Sequence, residues 1–263
     1  MAIPQIAIVG VTSNDPDFTP VVSKKSQLLA DSRITRWFAA RDGDVTVSGT
    51  DATKIATMID RKVAGNGSAL ATDATRPVMA SLAAYGARKA VQFTAGADRS
   101  ISLPAIDLSG SAWFVAVLAR RASVDAANGD ALFWTGVTNQ VLIAAPASGS
   151  VFQVFRNTNG VNVNPGNASP DATPKLIFGS WDGVNVKGAS GSSGAVSSVA
   201  GSGGAVAAGS AAFIGKRASV PALYWGGDVA QVIIGNVDIL ATANADLRAL
   251  IAGYLGEYYS LSL

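Results

Sequence analysis

Trp113-Phe114-Val115-Ala116-Val117-Leu118-Ala119 is an unbroken apolar run seven residues long. A helix needs ten or more residues, and a half-buried strand would alternate with polar ones, so this run reads as a central strand covered on both faces. Around it lie shorter apolar segments cut by turn dipeptides: Asp42-Gly43, Asn66-Gly67, Asn159-Gly160, Asp182-Gly183 and Gly203-Gly204. Residues 90–93, 132–136, 140–144, 151–156, 161–163, 175–181, 212–215 and 228–234 read as further strands. Asn159-Gly160, between residues 151–156 and 161–163, is the strongest local hairpin signal. Many short strands with turn punctuation predict an all-β domain built as two antiparallel sheets over one core.

The last segment has a different period. Leu247, Leu250, Ile251, Tyr254, Leu255 and Tyr258 fall on one face of an α-helix spanning residues 244–259. Asn244 is placed to cap it, and Asp246 suits the positive helix start. Residues 1–32 also differ from the rest. Ile3, Ile6, Ile8, Val9 and Val11 form a short apolar stretch, followed by Asn14-Asp15-Pro16-Asp17, Phe18 and Pro20. This segment reads as an extended arm that docks on a neighbour or folds onto its own domain. The main domain then spans residues 33–263. Residues 188–210 are almost entirely Gly, Ser, Ala and Val. They read as thin strands joined by a Gly-rich turn, with Val196, Val199 and Val206 facing inward, or else as a flexible loop.

Composition excludes much chemistry. The chain of 263 residues has no Cys and no His. Disulfides, thiolate nucleophiles, Cys-based metal sites and Ser-His-Asp relays are therefore absent. The single glutamate is Glu257, on the terminal helix. Glycoside hydrolysis generally needs two carboxylates flanking the bond, on rigid elements. Asp15/Asp17 sits beside a proline and Asp42/Asp44 straddles a glycine, so both pairs read as turn chemistry. Only 14% of residues are charged and the net charge is +2. That balance argues against nucleic acid, and the doublets Lys24-Lys25, Arg61-Lys62, Arg88-Lys89, Arg120-Arg121 and Lys216-Arg217 are spread along the chain. No apolar window reaches the ~18 residues of a membrane span. The N-terminal stretch lacks a cationic signal-peptide region, so a product made in a host cytoplasm without export is expected.

Several stretches, in order, resemble concanavalin A-like and laminin-G-like jelly rolls of bacteriophage structural proteins. Trp37-Phe38-Ala39-Ala40-Arg41-Asp42 resembles the opening segment of that family, and residues 58–67 its Asn-Gly turn with Met58 or Ile59 in place of Trp. An Ala/Thr-rich piece ends in Arg76-Pro77, and Val91-Gln92-Phe93 precedes Gly96-Ala97-Asp98 as in the family. Phe178-Gly179-Ser180-Trp181-Asp182-Gly183, Phe213-Ile214-Gly215 and residues 226–234 are similar to its later strands, and Tyr258-Tyr259-Ser260-Leu261 to its ending. The resemblance covers about residues 35–263.

The resemblance implies a two-sheet antiparallel jelly-roll sandwich and a non-catalytic virion structural protein in a tail, baseplate, fibre or capsid decoration. It would work through contacts with other virion proteins and assemble as a homo-oligomer, a trimer being plausible. The alternative is a glycan-binding module that attaches the particle to its host, and the least favoured reading is a polysaccharide hydrolase. No cofactor is expected. The family can hold Ca²⁺, for which Asp42, Asp44, Asp60 and Asp98 are the candidates. For a sugar, the ring-bearing candidates are Trp134, Trp181, Tyr224 and Trp225, the last three favoured, while Trp37 and Trp113 belong to the core.

Overall fold

The computed structural model describes residues 22–123, 129–136, 140–147, 151–164, 173–202, 205–218 and 223–263. Two antiparallel sheets stack face to face. The first runs in the order Ser197–Ala200, Asn185–Ser190, Lys175–Trp181, Trp113–Arg120, Asp228–Gly235, Arg88–Gln92, Val78–Leu82. Ile34–Ala39 also pairs with Asp228–Gly235. The second runs Asn159–Val163, Phe152–Arg156, Val141–Ala145, Asp130–Thr135, Ser210–Ile214, Ile101–Ile106, Asn66–Ala69, Ile55–Ile59, Val45–Val47.

The apolar run Trp113–Arg120 is indeed central, paired with Lys175–Trp181 on one side and Asp228–Gly235 on the other. Its residues alternate between two different interiors. Trp113, Val115, Val117 and Ala119 point between the sheets, where they meet Ile143, Val154 and Leu132 of the second sheet. Phe114, Ala116 and Leu118 point to the opposite face, which is roofed by helices. That double burial is why residues 113–119 carry no polar side chain, the charged Arg120 standing at the strand's end. Each large side chain so buried contributes roughly 1.5–3 kcal/mol.

The roof consists of two helices. α1 (Lys24–Ala30) buries Leu28, and α2 (Ala245–Tyr259) buries Leu247, Ile251, Ala252, Tyr254, Leu255 and Tyr259. Arg33, just beyond α1, bridges Asp31 and Asp246 at 2.8 and 2.7 Å. Lys24 at the start of α1 pairs with Glu257 near the end of α2. The two helices therefore lie antiparallel. Trp37 Nε1 donates to Gln231 Oε1 at 2.7 Å, and Gln231 Nε2 donates to the Tyr259 hydroxyl at 3.1 Å. This buried polar chain fixes α2 on the sheet.

The outer face of the second sheet holds a smaller cluster, Ala131, Trp134, Leu142 and Ala144, with Leu223 packed on it. Leu223–Tyr224 forms a ribbon with Lys216–Arg217 that delivers this leucine. Among the described residues, no helix is long and apolar enough to cross a membrane.

Four expectations need correcting. Residues 22–32 are not extended: from Lys24 they form α1, packed on the domain through Leu28, while the arm residues Ile3, Ile6, Ile8, Val9, Val11 and Phe18 lie outside the described residues. The hairpin at Asn159-Gly160 exists, but Asn159 pairs with Arg156, which makes Asn157-Thr158 the turn, with Asn157 at φ 55°. Gly160 is a strand residue, required because a Cβ there would lie 2.4 Å from the ring of Phe155. Asn244 flanks α2 without capping it, since its amide donates to the Asp238 carbonyl and its oxygen accepts from Arg33. In residues 188–210 thin strands do form, yet of the three valines Val206 is buried whereas Val196 and Val199 are 44% and 38% exposed.

Candidate functional site

A cleft of about 580 Å³ opens where α1 and the last turns of α2 lie side by side. Ser23 caps α1, its hydroxyl accepting from Ser26 N at 3.2 Å, and so fixes where Lys24 and Lys25 project. At the other end of α1, Lys62 Nζ donates to the carbonyls of Leu29 and Asp31 at 2.7 and 2.9 Å. Gly253 faces the Lys24 side chain, its Cβ position lying 3.0 Å from Lys24 Nζ. α2 supplies Tyr254, Glu257 and Tyr258, and the neighbouring strand supplies Arg88.

The tyrosines are one helical turn apart and stacked, with centroids 6.1 Å apart and an interplanar angle of 23°. Arg41 lies over the Tyr258 ring at 4.3 Å and donates to the Tyr254 hydroxyl at 3.1 Å. Arg88 lies over the same Tyr258 ring at 4.9 Å and donates to the Tyr258 carbonyl at 3.3 Å. Behind them, Arg61 stacks on Trp37 at 4.3 Å, and Trp37 meets Tyr254 edge-on at 5.4 Å. Burial pushes the Lys25 ammonium below its ordinary pKa; Arg61 and Arg41 add to the effect and Asp44 opposes it. The cleft thus carries ammonium and guanidinium donors beside the half-buried Tyr258, whose ring Arg41 and Arg88 overlie, while Tyr254 is buried.

The fold brings three of the scattered basic doublets to the neighbourhood of α1. Lys24-Lys25 lies on the helix, Lys62 holds its end with Arg61 beside it, and Arg88-Lys89 opens the strand alongside. Sequence reasoning saw these doublets but could not see that they converge. It also used Tyr254 and Tyr258 only as members of an apolar stripe.

The aspartates proposed for calcium are not brought together, and among the described residues no three acidic side chains form a metal-binding group. Asp60 is buried and accepts from Trp37 N and Lys62 N at 3.1 and 2.9 Å, with Arg36 at 3.1 Å on its other oxygen. Asp44 pairs with Arg61 at 3.3 Å, and Asp98 with Lys216 at 2.7 Å. Asp42 is exposed beside Gly43, whose φ is +85°.

The aromatic candidates fare unevenly. Trp225 is 0% exposed and packs within the inter-sheet core, so it cannot serve as a stacking plate. Trp181 is 8% exposed, with Arg156 over its ring at 5.0 Å and Gly201 pressed on it. It is a core residue at the Asp182-Gly183 turn, where Asp182 accepts from the N–H of Val184 and of Asn185. Tyr224 is half-buried on the ribbon, with the Lys216 ammonium 5.9 Å from its ring centre.

The two antiparallel sheets, their double-sided central strand and the terminal helix define a concanavalin A-like jelly-roll sandwich. Among solved structures, Trypanosoma rangeli sialidase in complex with sialic acid is similar over 93% of this chain and 36% of its own, at 10% identity and TM-score 0.55. Domain 4 of an extracellular arabinanase from Geobacillus stearothermophilus, in complex with arabinotriose, is similar over 82% of this chain and 98% of its own, at 13% identity and TM-score 0.55. The chain thus spans about a third of the sialidase and nearly the whole arabinanase domain. No family model matches the chain, and no curated protein is similar to it in sequence.

Proposed function

We propose that the chain is a non-catalytic carbohydrate-binding module that attaches a larger particle to surface glycans. The α1–α2 cleft carries this reading. Sugar recognition uses directional donors and acceptors against hydroxyls, and this cleft presents ammonium, guanidinium and hydroxyl groups around the half-buried Tyr258. The fold gives support, since the arabinanase domain of the same architecture was solved with arabinotriose. A chain with no histidine and no cysteine lacks the nucleophile–imidazole relays of many hydrolases, which favours binding over turnover. Screening the full chain against a glycan array is expected to give saturable binding. Tyr258→Ala is expected to weaken it about tenfold, corresponding to about 1.4 kcal/mol. Binding that survives Tyr258→Ala unchanged, or no binding to any glycan, would refute the assignment.

A second reading, a structural component of a bacteriophage particle, is favoured by one edge of the first sheet. The edge strand Ser197–Ala200 has no charged residue, and Val184, Val196 and Val199 beside it are 65%, 44% and 38% exposed. Sheet edges are normally blunted by charge or proline, so an uncharged edge with valines suits pairing with a second copy of the chain. On this reading light scattering finds an oligomer in solution, and Val199→Lys shifts it to monomer. A wild-type chain that is monomeric at high micromolar concentration would count against it.

A further inference from the structure

We infer that the α1–α2 cleft selects an acidic saccharide, one whose carboxylate or sulfate group is met by Lys25 and Arg88. This rests on the carbohydrate-binding reading and names the ligand class. The argument is one of charge and geometry. Five cations stand in or against the cleft, Lys24, Lys25, Arg41, Arg61 and Arg88, and two carboxylates, Glu257 and Asp44, oppose them. Both carboxylates are already engaged, Glu257 by Lys24 and Asp44 by Arg61. Lys25, Arg41 and Arg88 have no ion-pair partner among the described residues.

Burial is the larger cause of the lowered basicity of Lys25, and the nearby Arg61 and Arg41 add to it. An anion offsets the repulsion among these cations, and a neutral ligand does not. The stacking of Arg41 and Arg88 on Tyr258 adds geometry to charge. Both guanidinium centres lie over the Tyr258 ring, at 4.3 and 4.9 Å, which holds these two cations at one place on the cleft wall. A guanidinium N–H edge matches the two oxygens of a carboxylate or sulfate in a fork. Arg41 has one donor engaged by Tyr254, and Arg88 donates through Nε to the Tyr258 carbonyl, leaving the remaining guanidinium N–H groups of Arg88 for a ligand.

The test is titration calorimetry on the full chain with three oligosaccharide sets of matched length. One set carries uronic acids, one carries sulfates, and one is the neutral counterpart with carboxyl groups reduced or sulfates removed. At least one acidic set is expected to bind tenfold or more tighter than its neutral counterpart. The double variant Lys25→Gln/Arg88→Gln is expected to abolish that preference, with its melting temperature kept within a few degrees of the parent. Lys54→Gln, remote from the cleft, controls for net charge and is expected to leave the preference intact. Neutral sugars binding as tightly as acidic ones, with loss on Tyr258→Ala, would overturn the acidic preference while keeping the carbohydrate reading. A preference that survives the double variant, or that falls equally with Lys54→Gln, would overturn the site. Absence of binding by every set, and by the glycan array, would overturn both.

Discussion

Asp130→Asn is expected to lower the stability of the domain by about 3–5 kcal/mol, the cost of breaking a buried ion pair by removing one partner. Arg121 Nε donates to Asp130 at 2.6 Å, and the two side chains are 3% and 0% exposed. Arg121 follows directly on the central strand of the first sheet, and Asp130 opens a strand of the second. The pair therefore ties the two layers at one end of the sandwich. Arg121 Nη2 also donates to the Pro146 carbonyl at 2.7 Å, which orients the guanidinium without neutralising it. Replacing the carboxylate by an amide takes this anionic partner from a guanidinium that is 3% exposed. Chemical denaturation would measure the loss. The double replacement Arg121→Met/Asp130→Leu is expected to recover most of it, because the desolvation cost goes with the charges. A single variant that loses under about 1 kcal/mol would mean that the charge reaches solvent and that the pair is not structural.

The pattern of apolar residues carries the fold well because burial acts on every strand. Trp113–Arg120 lacks alternation since both its faces are covered, and Asp228–Gly235 follows the same rule, with Val229, Val232 and Ile234 between the sheets and Ala230 and Ile233 under the helices. The α2 stripe was legible for the same reason: all six residues on it belong to the cluster under the helices, four of them buried, and Tyr254 and Tyr258 also border the cleft.

Single residues were harder to place, because their environment is set by distant chain. Asn159-Gly160 carries the usual hairpin signature, but register is decided by the pairing of Phe155 with Gly160, whose lack of a side chain makes room for the ring. The cleft was the least legible part. Its cations come from residues 24, 25, 41, 61 and 88 and its rings from residues 254 and 258, so only the antiparallel docking of α1 on α2 assembles it. The basic doublets marked residues 24, 25, 61 and 88 but not Arg41, and no local spacing relates them.

Trp225 shows the consequence most sharply, and Trp225→Ala is the second large effect. Beside Tyr224 and ahead of Gly226-Gly227 it looks like a loop ring open to ligand. In the fold its backbone N–H donates to the Gly215 carbonyl at 3.0 Å, which turns the indole inward against Phe152 at 6.0 Å. Gly226 and Gly227 follow because the chain then runs close against residues 120–123: a Cβ at Gly227 would lie 2.1 Å from the Arg120 carbonyl oxygen. Truncation to alanine empties a fully buried site and is expected to cost about 3–5 kcal/mol. Trp225→Phe is expected to cost less, since the indole Nε1 is buried with no acceptor among the described residues and its removal relieves an unmet hydrogen bond. Glycan affinity, measured well below the melting temperature of the variant, is expected to match the parent chain. An alanine variant that keeps full stability and loses binding would move the ligand from the helical cleft to the ribbon end of the sandwich.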